Sequence, residues 1–103
     1  MTARILLPFL LLLSVNAVAG GHDSKPAVTV KELAPGIHVL MGMDGNIGVS
    51  SGEDGVFIID DDMPPMATKV DQALRTIQDE PVRMVFNTHW HFDHTGGNEH
   101  FGK

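Results

Sequence analysis

The chain contains no cysteine. That absence excludes a disulfide framework, a thiolate zinc site, a cysteine nucleophile and lipidation at cysteine. Basic residues are scarce as well: 7 Lys and Arg stand against 13 Asp and Glu, a formal net charge of −6. Neutralising a phosphate backbone needs clustered cations, so nucleic acid is excluded as a partner. Long apolar runs are missing too. The longest, Ile5 to Leu13, falls well short of the roughly 20 residues that span a bilayer. With 103 residues in all, one small domain fits and a second core does not.

What the chain does have begins with that short apolar run. Arg4 precedes it and Ala17-Val18-Ala19 follows, the charged, apolar and small-x-small parts of a secretory signal peptide. Residues 1–19 are therefore read as a signal peptide cleaved after Ala19. Residues 20–30 form a flexible, polar lead-in, and residues 31–103 form the folded part. Cleavage leaves no stable membrane anchor. A product without cysteine tolerates an oxidising compartment, so the expected location is periplasmic or secreted.

The folded part reads as short strands punctuated by Gly and Asp. Gly36–Met41 and Ile47–Ser51 are strand candidates, joined through Met43-Asp44-Gly45-Asn46, where Asp-Gly tolerates the positive φ of tight hairpins. Gly52-Glu53-Asp54-Gly55 is a second turn. Val56-Phe57-Ile58-Ile59 is a continuous apolar run, expected of a strand buried on both faces. Pro64-Pro65 then opens a helix reaching Gln78. Met66, Val70, Leu74 and Ile77 make one apolar stripe on it, which assigns Met66 to the core. Pro81 precedes a further strand, Val82–Phe86. Hairpins feeding a βαβ unit, with its two strands parallel, are the expected α/β (α+β) architecture.

Chemistry is concentrated in Asn87-Thr88-His89-Trp90-His91-Phe92-Asp93-His94-Thr95-Gly96-Gly97-Asn98. Imidazole nitrogen and carboxylate oxygen are the non-thiolate ligands that zinc accepts. A chance H-x-H-x-D-H in a chain of this composition has a probability of about 2 × 10⁻³, which sets coincidence aside. In an extended loop His89, His91 and Asp93 share one face, with Trp90 and Phe92 turned the other way into apolar surroundings. His94 follows Asp93 directly and cannot share its direction unless the chain turns. This favours a split, with His89 and His91 on one ion and Asp93 and His94 on a second, the two sharing a bridging hydroxide. A strand end before the cluster and Gly-Gly after it are how rigid sites are mounted.

This stretch resembles the His-x-His-x-Asp-His motif of the metallo-β-lactamase fold superfamily. Gly55-Val56-Phe57-Ile58-Ile59-Asp60 is similar to its strand ending in aspartate, and Thr95-Gly96-Gly97-Asn98 to the turn after its motif. The resemblance, over roughly Lys31 to Gly102, implies the N-terminal half of a four-layer αββα sandwich. It implies His89 and His91 on a first zinc, Asp93 and His94 on a second, and Asp93 as the residue that orients the nucleophile. It also implies that Asp60 orients a ligand imidazole. Relatives continue that strand end with a small residue and Gly; here Asp61-Asp62-Met63 follows, which leaves the roles of Asp61 and Asp62 open. A calcium loop is excluded, because the alternating spacing and the glycine are absent. His22, His38 and His100 are read as surface residues, and Asn46 as turn-forming.

The remaining ligands in relatives come from farther along the chain, so the resemblance implies an N-terminal portion. Two function classes follow. One is a secreted zinc hydrolase acting on a small-molecule ester, thioester or lactam. The other is a non-catalytic truncated product that binds metal weakly or not at all. A missing partner sheet would leave Val56, Ile58, Val85 and Trp90 partly exposed. Substrate choice and oligomeric state are not encoded in these residues.

Export is directly testable. N-terminal sequencing of the secreted product should begin at Gly20, and a membrane-retained chain still starting at Met1 would refute the reading.

Overall fold

The computed structural model describes residues 28–103; the expected signal peptide and residues 20–27 of the expected lead-in lie outside the described residues. Five strands form one sheet in sequential order: β1 Thr29–Ala34, β2 Ile37–Met41, β3 Asn46–Gly52, β4 Gly55–Ile59 and β5 Val82–Phe86. The first four are antiparallel neighbours. Because β1 already contains Thr29 and Val30, the end of the expected lead-in is strand. The edge strand β1 is exposed throughout.

Helix α1, Ala67–Ile77, carries the chain from β4 to β5. These strands pair in parallel, with Ile58 opposite Val85 and Ile59 opposite Phe86. The chain therefore folds as hairpins followed by a βαβ unit, the mixed architecture its sequence predicts. Pro64–Met66 forms a 3₁₀ turn ahead of α1, so the α-helix starts later than the proline pair suggests. A proline nitrogen donates nothing, and two in succession leave the first turn to tighter i→i+3 bonding. Two single-turn helices, α2 Phe92–Thr95 and α3 Asn98–Phe101, follow β5. Among the described residues no helix is long and apolar enough to cross a membrane.

The core lies between α1 and one sheet face. Met66, Val70 and Leu74 are buried against Leu40, Ile47, Val49, Val56 and Ile58, as the helical stripe requires. Two sequence expectations are corrected here. Of the four residues expected to be partly exposed, Val85 is half-buried and Trp90 is 81% exposed, but Val56 and Ile58 are 1% and 0% exposed, because α1 alone closes their face. The strand is nonetheless not buried on both sides: Ile59 is 50% exposed.

The other sheet face follows from register. Ile37, Ser50, Phe57 and Met84 are successive cross-strand neighbours, as are Gly48, Ile59 and Phe86. Ile37, Met84 and Phe86 are exposed. A shallow, almost wholly apolar hollow of about 230 Å³ lies there, lined by Ile37, Val49, Ser50, Phe57, Ile59 and Phe86.

Two local readings also change. The Asp44-Gly45 turn uses no positive φ; among the described glycines that conformation occurs at Gly36 and Gly55. Gly42 and Gly45 are instead needed for close approach to neighbouring backbone and side chains. His38, read as a surface residue, is half-buried in β2, and its Nδ1 is buried without a hydrogen-bond partner.

The packing predicts that Leu74→Ala lowers the unfolding free energy by about 2–5 kcal/mol through the cavity it leaves. The exposed Gln72→Ala should stay within about 0.5 kcal/mol of the parent. Urea denaturation followed by circular dichroism measures both.

Candidate metal centre

The site stands where the parallel strands β4 and β5 end. Open α/β sheets carry their ligands beyond the carboxyl ends of such strands. β4 runs directly into Asp60-Asp61-Asp62, and β5 into Asn87 and the histidine-rich loop. Asp60 and Asp62 hold φ of 64° and 63°, a left-handed conformation in which a side chain is strained. All three aspartates are buried.

Each aspartate fastens a different stretch. Asp60 Oδ1 accepts from the Thr88 amide at 2.8 Å, and its Oδ2 from the Thr88 hydroxyl at 2.8 Å. The same Oδ2 lies 2.7 Å from His94 Nδ1. Asp61 Oδ1 accepts from the Gly97 amide at 2.9 Å. The Asp62 carbonyl accepts from the Gly96 amide at 2.9 Å. Gly96 and Gly97 admit this approach because they lack a Cβ: one at Gly96 would strike Pro64, and one at Gly97 would lie 2.8 Å from the Asp61 carbonyl oxygen.

The loop does not stay extended. His91 is still extended, but Phe92 starts α2, and the His94 and Thr95 amides both return to the His91 carbonyl. Asn87 Nδ2 donates to the His94 carbonyl at 2.9 Å, and Asn98 Nδ2 to Asn87 Oδ1 at 2.7 Å. The turn brings His94 alongside its neighbours, with its ring centroid 4.0 Å from that of His89. Trp90 is 81% and Phe92 73% exposed, which corrects the expectation that they face apolar surroundings.

His89, His91 and Asp93 each offer a ligand atom, all within 4.8 Å of one another. The fourth residue of the motif is engaged on both sides: His94 Nδ1 faces Asp60, and its Nε2 lies 3.0 Å from Asp93 Oδ2. Asp93 thus joins the two histidines while contacting the third. Thr88 Oγ1 stands 2.9 Å from His89 Nδ1, which leaves Nε2 of that ring for an ion. Two imidazoles and a carboxylate match a nitrogen–oxygen donor set for a divalent metal. Of the remaining histidines, His100 lies 3.6 Å from an Asp71 oxygen, away from this cluster; His22 lies outside the described residues.

The electrostatics follow from these contacts. Burial alone would raise the Asp60 carboxyl, but the Thr88 amide, the His94 ring and the Thr88 hydroxyl outweigh it and hold it below the usual carboxylate range. The Asp60 hydrogen bond raises the His94 imidazole, with burial opposing and the Asp93 and Asp60 charges assisting. Asp61 is pushed up to about 6 by burial, only partly countered by the Gly97 amide and reinforced by the flanking aspartates. Its Oδ2 is buried without a partner.

Sequence reasoning missed Thr88, Asn87 and Asn98, and left Asp61 and Asp62 without roles. A threonine and an asparagine between a strand end and the first histidine were the available signal, since both types bond nearby backbone.

A family model described as the metallo-beta-lactamase superfamily matches residues 42–103. Among solved structures, a Cronobacter sakazakii (Enterobacter sakazakii) metallo-beta-lactamase described by its HARLDQ motif superposes with a TM-score of 0.64 at 18% identity. The match covers 70% of this chain and 29% of that one, so the chain spans less than a third of that protein's length. At this identity the likeness is one of fold. No curated protein matches the chain.

The raised Asp61 carboxyl makes a prediction with a definite sign. Between its ordinary 3.8 and about 6, the folded, metal-free chain binds more protons than the unfolded one. Stability therefore falls as pH rises through that window. Asp60 is lowered and acts below 3.8, while His94 is raised and acts above 6.5, so the interval belongs to Asp61. Asp61→Asn should flatten stability between about pH 4 and 6 and add on the order of 2 kcal/mol at neutral pH, as read by urea denaturation across pH.

Proposed function

The chain belongs to the metallo-β-lactamase superfamily, and from that premise we propose that it serves as a zinc-dependent hydrolase of a small-molecule ester, thioester or lactam. The observation that carries the reading is the convergence of His89, His91 and Asp93 within 4.8 Å, beside a His94 held between two carboxylates. His89 and His91 would hold one zinc ion, and Asp93 with His94 a second. Bound zinc supplies Lewis-acid activation of water and of the substrate carbonyl at neutral pH.

The chain's own residues do the rest. Asp60 fixes the His94 ring through Nδ1, the arrangement that sets imidazole tautomer and orientation, and Nε2 is the nitrogen that would take the ion. Thr88 does the same for His89 through Nδ1. Asp93, with a side chain 36% exposed, orients the attacking water and takes its proton. The water oxygen bonds to the carbonyl carbon, the bond to oxygen, sulfur or nitrogen breaks, and the proton departs with the alcohol, thiol or amine. Exposed Trp90 and Phe92 border the site on the loop that carries the ligands. The periplasm or cell exterior is the proposed location.

The test uses the protein expressed from its intact reading frame. Zinc titration should show two ions bound. Hydrolysis of at least one of nitrocefin, an acyl thioester or an aryl ester should be lost on chelation and restored by zinc. Asp93→Ala should cut turnover by roughly 10²-fold or more. Zinc binding without turnover of any of the three would overturn the hydrolase reading, and activity retained in a chelated His89→Ala, His91→Ala protein would overturn the metal assignment.

A further inference from the structure

Asp62 lies at a backbone position that suits glycine, with φ 63°, yet its carboxylate is 0% exposed. Buried charge at a strained position persists only where its surroundings hold it. The partners are specific. Oδ1 accepts from the Met63 amide at 2.7 Å. Oδ2 accepts from the Met43 amide at 3.0 Å, in the turn of the β2–β3 hairpin. The Asp62 carbonyl accepts from the Gly96 amide, just after the last histidine of the metal loop. One residue thus touches both the hairpin turn and the end of the ligand loop.

The turn has been shaped to this contact. It is closed by the Gly42 amide on the Gly45 carbonyl at 3.1 Å. A Cβ at Gly42 would fall on the Asp62 carboxylate, and one at Gly45 would stand 3.1 Å from the Asp93 carbonyl oxygen. The turn is therefore packed between Asp62 and the backbone of Asp93, and it presents Met43, 66% exposed.

We propose that Asp62 is a positioning residue that latches the Gly42–Gly45 turn onto the loop carrying His89, His91 and Asp93, so that turn and ligand loop move as one body. The latch deepens the hydrolase reading and rests on its metal assignment only in the second arm of the test. A carboxylate that merely stabilised the strand end would loosen the whole sheet when removed. A latch would free the turn alone.

Amide hydrogen exchange, read by NMR with zinc alone as the probe, separates the two. Asp62→Gly suits the backbone and removes the carboxylate. The Met43 amide should then exchange roughly tenfold or more faster, while amides of β3 and β4 keep their protection. Asp62→Asn keeps one acceptor oxygen for the two amides that the carboxylate serves, so its acceleration should fall between the parent and Asp62→Gly. Gly42→Ala, which leaves Asp62 in place but forces the turn off it, should reproduce the selective acceleration and serves if Asp62→Gly does not fold. In the second arm, zinc should slow Met43 exchange in the parent and not in Asp62→Gly. Unchanged Met43 exchange in both turn-releasing variants, or equal acceleration across β3 and β4, would overturn the latch. Zinc that binds without slowing Met43 would overturn the coupling. Failure of zinc to bind would refute the metal assignment and leave the first arm to decide the latch.

Discussion

The site depends on three consecutive carboxylates being buried at the end of one strand. Like charges so close repel, and each is removed from water, so the arrangement needs a donor for nearly every oxygen. The backbone meets that need by alternation. Left-handed φ at Asp60 and Asp62, but not at Asp61, lets the three side chains reach three separate segments. Asp60 takes the Thr88 amide and hydroxyl and the His94 ring, Asp61 the Gly97 amide, and Asp62 the Met43 and Met63 amides. The single orphan is Asp61 Oδ2, and Asp61 is also the carboxyl whose ionisation is most opposed. Strain and desolvation are concentrated at one corner, where the aspartates' hydrogen bonds to Thr88, His94 and Gly97 hold the histidine loop in shape.

That corner has a rigid base. α1 buries Met66, Val70 and Leu74 on the face formed by Leu40, Ile47, Val49, Val56 and Ile58, and the parallel pairing of β4 with β5 sets their ends side by side. The aspartate run and the histidine loop are thereby brought together from positions some thirty residues apart; the Asp60–Thr88 and Asp60–His94 contacts are the result. The two sheet faces differ sharply. One is closed by α1, while Ile37, Ile59, Met84 and Phe86 leave the other apolar and open.

His94 links fold and chemistry. Both ring nitrogens meet carboxylates, Asp60 at 2.7 Å and Asp93 at 3.0 Å, which favours the doubly protonated ring. Under the proposed metal assignment this ring would have to surrender one of those protons to bind an ion, which would tie affinity to pH. Asp60 retains its hold on Nδ1 in either state, and the ring keeps its orientation whether Nε2 carries a proton or not.

The elements that were legible in the sequence are those whose signal is local. Apolar periodicity marked β4, β5 and the stripe of α1, because burial of one face enforces the period on the residues themselves. Spacing of His89, His91, Asp93 and His94 marked a metal-binding loop, because ligand chemistry restricts the residue types. The match over residues 42–103 agrees with the family that the motif resembles. Only tertiary structure decided the rest. The turn of Phe92 and Asp93 out of the extended line follows from a helical turn after His91, which no two-residue period contains. The need for glycine at 42, 45, 96 and 97 arises from atoms of Asp61, Asp62, Pro64 and Asp93 pressing on them, and such contacts leave no trace in local pattern. The partners of Asp60, Asp61 and Asp62 are reached across the fold, from Met43 on one side to Gly97 on the other, so the run reads in sequence as an acidic strand end and in space as the hub of the site.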